Sequence, residues 1–279
     1  MGKMKTYAAM FCAMLAMGAL TVSCSSEDEA VTQGASGQAS IMIDLSSDLS
    51  YSRAIDESEY GNIQNYRVSM YKGDEPMFED SLYSEMTLIH KVDFGGPYTI
   101  TADYGEDVPY GYDKLYVKGS QTFSVTQGDT HTVSFVCTPA NAKLILKYAG
   151  LGDSDKFEDY FQDCQVSVKT QYMDEAFSMA KADAGKELYL KTGDEGTEVN
   201  LSFTITDLEG ETATIESEDF ETTKTITLKP GVAYTLTIKP NQVDVDGGKL
   251  GMDITVDDGV TEEDVTITVP GDFLTGATE

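Results

Sequence analysis

The chain has 279 residues, of which 48 are Asp or Glu and only 19 are Lys or Arg, a formal charge of −29 at pH 7. So large an acidic excess is repelled by phosphate backbones and anionic lipid headgroups, which excludes a nucleic-acid partner and a polybasic membrane contact. The 2 histidines, His90 and His131, stand far apart without ligand-like spacing, so neither a metal site nor a cofactor is expected.

In chain order, Lys3 and Lys5 open a charged start and residues 7–20 form an uncharged apolar run of 14 residues ending at Thr21-Val22-Ser23-Cys24. This is the layout of a secretory signal peptide, and the run is too short to cross a bilayer core about 30 Å thick. Ser23-Cys24 resembles a bacterial lipobox, in which the cysteine is lipidated and becomes the new N-terminus. An ordinary signal peptide with an incidental cysteine is the alternative. The expectation is a signal peptide over residues 1–23, lipid on Cys24, and a flexible tether over 24–39, whose Ser25-Ser26-Glu27-Asp28-Glu29 cluster and Gly/Ser-rich tract cannot bury enough surface to order itself. The acidic run after Cys24 also resembles the signal that sends Bacteroidetes lipoproteins to the outer face of the outer membrane. On that reading the chain is held by its lipid and exposed on the cell surface.

From Ile41 onward the dominant period is two. Tyr66/Val68/Met70, Tyr98/Ile100/Ala102, Val133/Phe135/Cys137, Leu144/Leu146/Tyr148, Leu201/Phe203/Ile205, Tyr234/Leu236/Ile238, Met252/Ile254/Val256 and Val265/Ile267/Val269 alternate with polar residues. Apolar-in, polar-out strands between Gly, Asp and Pro predict an all-β chain of antiparallel β-sandwiches. Residues 153–163 alone look helical, with Phe157, Tyr160 and Phe161 on one face behind a cap at Asp153.

Gln121-Thr-Phe-Ser-Val-Thr-Gln-Gly128 and Lys224-Thr-Ile-Thr-Leu-Lys-Pro-Gly231 match at an offset of 103 residues, each a strand, a glycine turn and a return strand. They read as two β-hairpins, with glycine where the chain reverses at positive φ. Hairpin grammar alone also produces such similarity. Either way two tandem sandwich domains fit, over residues 40–138 and 139–279, with the boundary at Thr138-Pro139-Ala140, where proline interrupts the ladder.

Asn65-Tyr-Arg-Val-Ser-Met-Tyr-Lys, Gly96-Pro-Tyr-Thr-Ile-Thr-Ala, Gln121-Thr-Phe-Ser-Val and Val133-Ser-Phe-Val-Cys-Thr-Pro-Ala-Asn-Ala-Lys-Leu resemble the Bacteroidetes lipoprotein family of domain of unknown function 4493. The resemblance covers roughly residues 40–240, and its most specific piece is the join from Val136 to Lys143. That family resembles the fimbrillin-like proteins, which implies two transthyretin-like, broadly Ig-like sandwiches behind a lipoprotein signal and a role in adhesion or pilus assembly. It also implies maturation by cleavage after an arginine near the first strand, which opens a groove that a strand of the next subunit fills. Beyond the signal peptide the chain has only Arg53 and Arg67. Arg53 falls between the candidate first strand and the strand at Tyr66, where a severing cut is needed; an incidental surface arginine is the other reading.

Chemistry has little to build on. Asp244-Val-Asp246-Gly247-Gly248 opens like a calcium loop, but the position that requires a bidentate glutamate holds Thr255. No Gly-x-Ser-x-Gly elbow, His-Glu-x-x-His or phosphate loop occurs, so no enzyme is expected. Tyr104, Tyr110, Tyr112 and Tyr116 crowd a segment with Glu106, Asp107 and Asp113. They read either as a carbohydrate or protein contact or as a connection packed over the sandwich end by its own aromatics. Cys137 and Cys164 are expected unbridged, because pairing of residues 143–148 with 165–170 leaves Cys137 beyond that ladder. The leading expectation is a non-catalytic surface lipoprotein, a fimbrillin-like adhesin or pilus component whose partners are fimbrial subunits, surface proteins or glycans. The alternative is a glycan-binding accessory lipoprotein of an outer-membrane uptake system. The ligand itself cannot be read from the residues.

Overall fold

The computed structural model describes residues 37–50, 58–216, 226–242, 250–258 and 265–269. Its first strands are β1 (Gln38–Ser47), β2 (Arg67–Lys72), β3 (Glu75–Leu82), β4 (Ile89–Asp93), β5 (Gly95–Gly105), β6 (Tyr110–Tyr112), β7 (Tyr116–Val125) and β8 (Thr130–Pro139). After Ala140 come β9 (Asn141–Tyr148), β10 (Phe161–Thr170), β11 (Phe177–Met179), β12 (Glu187–Lys191), β13 (Thr197–Asp207) and β14 (Thr212–Glu216). The last are β15 (Ile226–Leu228), β16 (Ala233–Gln242), β17 (Leu250–Asp257) and β18 (Val265–Val269). The chain is all-β, as its two-residue period predicts. No helix among the described residues is long and apolar enough to cross a membrane.

Seven strands pair in the order β3-β2-β5-β7-β8-β1-β4. The link between β7 and β8 is only Val117↔Pro139 and Lys118↔Thr138, so the sheet divides there into two arms. The first core lies between them: Val68, Met70, Tyr98, Ile100 and Val117 come from one arm, and Ile41, Ile43, Val92, Val133 and Phe135 from the other. A second core lies between a six-stranded sheet, β18-β17-β16-β9-β12-β6, and a five-stranded one, β11-β10-β13-β14 with β15 on β13.

Two pairings depart from the antiparallel expectation. β1 runs parallel to β8, from Ser40↔Thr130 to Ser47↔Cys137. β9 runs parallel to β16, from Lys143↔Ala233 to Tyr148↔Ile238. Lys143 follows Ser40 by 103 residues and Ala233 follows Thr130 by 103, so the offset of the sequence repeat is also the offset of the ladder register.

The repeated segments are not hairpins. After Gly128, with φ 76°, β8 leaves β7 to pair with β1; after Gly231, with φ 70°, β16 leaves β15, which pairs with β13, and joins β9. Each glycine turn carries the chain from one layer to the opposite one. A hairpin and such an arch share the same residue grammar; the partner strand, distant in sequence, decides between them. Nor do residues 153–163 form a helix. One 3-10 turn, Phe157–Asp159, is closed by the Lys156 amide donating to Asp159 Oδ2 at 2.8 Å, and β10 begins at Phe161. Phe157 and Phe161 still enter the second core, where burying their rings outweighs a weak local helix preference.

The pairing assumed for the cysteines also differs. β9 lies between β12 and β16, not beside β10. Cys137 belongs to the first core and Cys164 to the second, and both are free. Burial pushes each thiol up to about 12, with Asp103 and Asp163 respectively adding to it.

Polar contacts tie the segments around the two cores. β6, which lies in sequence between two strands of the seven-stranded sheet, pairs instead with β12, Tyr110 opposite Leu190 and Tyr112 opposite Leu188. Buried Asn141 accepts from the Tyr116 amide at 3.0 Å and donates to the Lys114 carbonyl at 3.1 Å. Lys191 pairs with Asp107 at 2.7 Å, and Lys118 with Asp194 at 3.1 Å. Lys143, 0% exposed, meets Glu187 at 3.2 Å and lies over the Tyr189 ring at 5.1 Å. Tyr189 itself belongs to the first core, although β12 belongs to the sheet over the second.

Two stability measurements follow. A Cβ on Gly119 would stand 2.5 Å from the Val136 carbonyl oxygen and 2.8 Å from Cys137 Sγ, where β8 crosses β7. Gly119→Ala is expected to cost about 1–3 kcal/mol in denaturant unfolding, and an unchanged midpoint would contradict this crossing. Glu187→Gln leaves the Lys143 charge buried against a neutral amide and is expected to cost about 2 kcal/mol. Lys143→Met should cost less, because Glu187 retains solvent and the Tyr189 hydroxyl at 3.1 Å. The reverse order in equilibrium unfolding would refute the role given to the pair.

Candidate functional site

β1 is seated between two partner strands over the first core. Its alternation places Ala39, Ile41, Ile43 and Leu45 in the first core, all nearly inaccessible. Each of the three large aliphatic side chains contributes about 1.5–3 kcal/mol on burial. Main-chain bonds hold the strand on both sides, parallel to β8 and antiparallel to β4 from Gln38↔Asp93 to Met42↔Ile89. Ser134 Oγ donates to Asp44 Oδ2 at 3.0 Å on the outer face, and the Asp48 amide donates to the Cys137 carbonyl at 2.9 Å just past the strand. β1 therefore fills a slot with two strand edges and an apolar floor. β9 holds the corresponding place in the second half, between parallel β16 and antiparallel β12. Cys24, Arg53, Asp244 and Asp246 lie outside the described residues.

The four tyrosines do not form one surface. Tyr104, at the end of β5, stacks on Tyr66 at 5.6 Å and tilts against Tyr60 at 5.2 Å, beside the first core. Tyr110 and Tyr112 lie on β6 and contact Phe177 at 4.8 and 5.6 Å, on the side of the second core. Burial and the Asp183 carboxylate raise the Tyr112 hydroxyl to about 12; it lies near that carboxylate without a hydrogen bond of regular geometry. Tyr116 opens β7, and burial followed by repulsion from Asp103 and Asp107 pushes it up to about 12. The segment between β5 and β7 thus sends its rings to both cores, with β6 as a hydrogen-bonded edge.

Reading residues alone did not single out Asn141 and Lys143 as partners of the junction. A signal was present. In β9 the two polar residues alternate with Ala142, Leu144 and Leu146, so they share one face of a strand buried on both faces at this end. They also lie within the join that carries the most specific part of the family resemblance.

Comparison with solved structures finds similarity to a fimbrial assembly protein from Parabacteroides distasonis ATCC 8503, at 12% identity and a TM-score of 0.48, covering 83% of this chain and 98% of that one. The fimbrial anchor protein Mfa2 from Porphyromonas gingivalis is similar at 10% identity and a TM-score of 0.40, covering 79% of this chain and 98% of the other. No curated protein sequence matches the chain. The family model described as a domain of unknown function (DUF4493) matches residues 37–271, a span that takes in β1 through β18, and the chain belongs to that family.

Proposed function

We propose that the protein is a non-catalytic cell-surface lipoprotein of the fimbrillin-like adhesin kind, two β-sandwiches in tandem held to the outer membrane by lipid on Cys24, with β1 as an exchangeable strand. The observation that carries this reading is the seat of β1. It is the first described strand, it lies between two partner strands, and it fills the apolar floor of one core with its own side chains. A strand of this kind, once cut from the chain behind it, can leave a slot that a strand from another subunit re-forms through the same main-chain bonds. Arg53 follows β1 by six residues in sequence and precedes β2, where such a cut spares both strands. The shared 103-residue register of the two parallel ladders supports the tandem arrangement.

Two experiments test it. Mass spectrometry of protein extracted from membranes is expected to find an acylated Cys24 as the N-terminal residue, and Cys24→Ser should release the chain into the soluble fraction; an unmodified start elsewhere refutes the anchor. Limited digestion of the full chain with an arginine-specific protease should cut once, after Arg53, and size-exclusion chromatography with light scattering should then report higher oligomers. Arg53→Gln should abolish both changes. Cleavage that leaves a monomer would remove strand exchange from the proposal and leave a tethered adhesin.

A further inference from the structure

A cleft of about 370 Å³ opens beside the first core, bounded by β2, the end of β5, the 3-10 turn at Tyr60 and the segment leading into β7. Its size is at the lower end of the roughly 300–1,000 Å³ range of small-molecule sites. One wall carries Tyr60 and Tyr104, with ring centroids 5.2 Å apart. These rings are held before any ligand arrives: Tyr104 stacks on Tyr66, and the Tyr66 hydroxyl donates to the Tyr60 carbonyl at 2.8 Å.

The rim is polar and mixed in charge. Arg67 is held through Nη1 by Asp80 at 3.0 Å, and Lys114 by Glu106 at 2.8 Å. Asp103 and Asp113 line the same cleft, and among the described residues their carboxylates make no hydrogen bond or ion pair. Burial, with repulsion from Asp80 and Asp107, raises the Asp103 carboxyl above its ordinary range despite Arg67 nearby. Bonds from a ligand's hydroxyl groups would relieve that carboxylate without bringing in another charge.

The two signs of charge on this rim restrict the ligand. An anion would face Asp103, Asp113 and Glu106 on a chain of net charge −29. A cation would be repelled by Arg67 and Lys114 and would compete with them for Asp80 and Glu106. A neutral polyhydroxyl ring satisfies both, donating to carboxylates and accepting from guanidinium and ammonium groups, while its C–H face packs on the tyrosines. From the fixed tyrosine pair, the two unpartnered carboxylates and the opposed cations, we infer that this cleft binds one neutral sugar unit of a surface glycan. The inference deepens the adhesin reading and rests on it, by assigning the class of what is adhered to.

The test uses the full, uncleaved chain against immobilised mannan, galactan, dextran and N-acetylglucosamine oligomers, with heparin, polysialic acid and polylysine alongside. Saturable binding to at least one neutral glycan is expected. Asp103→Asn and Asp113→Gly should each weaken it about tenfold or more, without lowering the thermal midpoint. Asp113 has φ 56°, so glycine suits its backbone and this variant is expected to fold even if changes at the tyrosines do not. Binding to no neutral glycan, stronger binding to the charged polymers, or neutral binding insensitive to both substitutions would each overturn the inference. None of these outcomes alters oligomer formation after cleavage at Arg53, so failure here is distinct from failure of strand exchange.

Discussion

The architecture depends on one constraint, that the first strand of each half be completed by a parallel partner reaching it from the opposite layer. A parallel ladder cannot be closed by a tight turn, so the chain must travel through the other layer before returning. Gly128 and Gly231 stand at the two points where it crosses, both with positive φ. β8 and β16 then lie beside β1 and β9 with matching register, and the apolar faces of both layers meet between them. Without the crossing, β7 and β8 would share one sheet face and the first core would lose a wall.

The junction between the cores follows from the same strand order. β9 leaves Ala140 directly into the six-stranded sheet, so its first residues are covered on both faces. Ala142 and Leu144 meet the second core, while Asn141 and Lys143 turn toward the chain that built the first. Burying a lysine is costly unless charge and hydrogen bonds are returned to it. Glu187 and the Tyr189 ring contribute to that compensation, and with the β6–β12 pairing they join the segments around the two cores through specific contacts. Rings that crowd together in sequence are divided by this arrangement, Tyr104 to one core, Tyr110 and Tyr112 to the other.

Much of the fold was legible in the residues because a half-buried strand writes its own pattern. Val133, Phe135 and Cys137 alternate with polar residues and are buried; so are Leu201, Phe203 and Ile205. The same locality explains the errors. Phe157 and Phe161 are spaced like one face of a helix, but a turn followed by a strand delivers both rings to the second core. The glycine segments read as hairpins because a turn records where the chain reverses, not which strand it meets next. At the site, the tyrosine-rich segment was visible in sequence, whereas the cleft was not. Arg67 and Asp103 reach it from β2 and β5, and Tyr60 from a turn before β2, positions that only sheet pairing brings together.

What the sequence determined by itself was the all-β character, the alternating inward faces and the 103-residue internal repeat, because side-chain period and turn chemistry act over a few residues. Tertiary structure decided the parallel ladders, the crossing of layers at Gly128 and Gly231, the transfer of β6 to the second sheet and the burial of Lys143. Each of these depends on which distant strand supplies backbone partners and which charge lies opposite. Those choices are made by packing two layers around a core, and no window of neighbouring residues contains them.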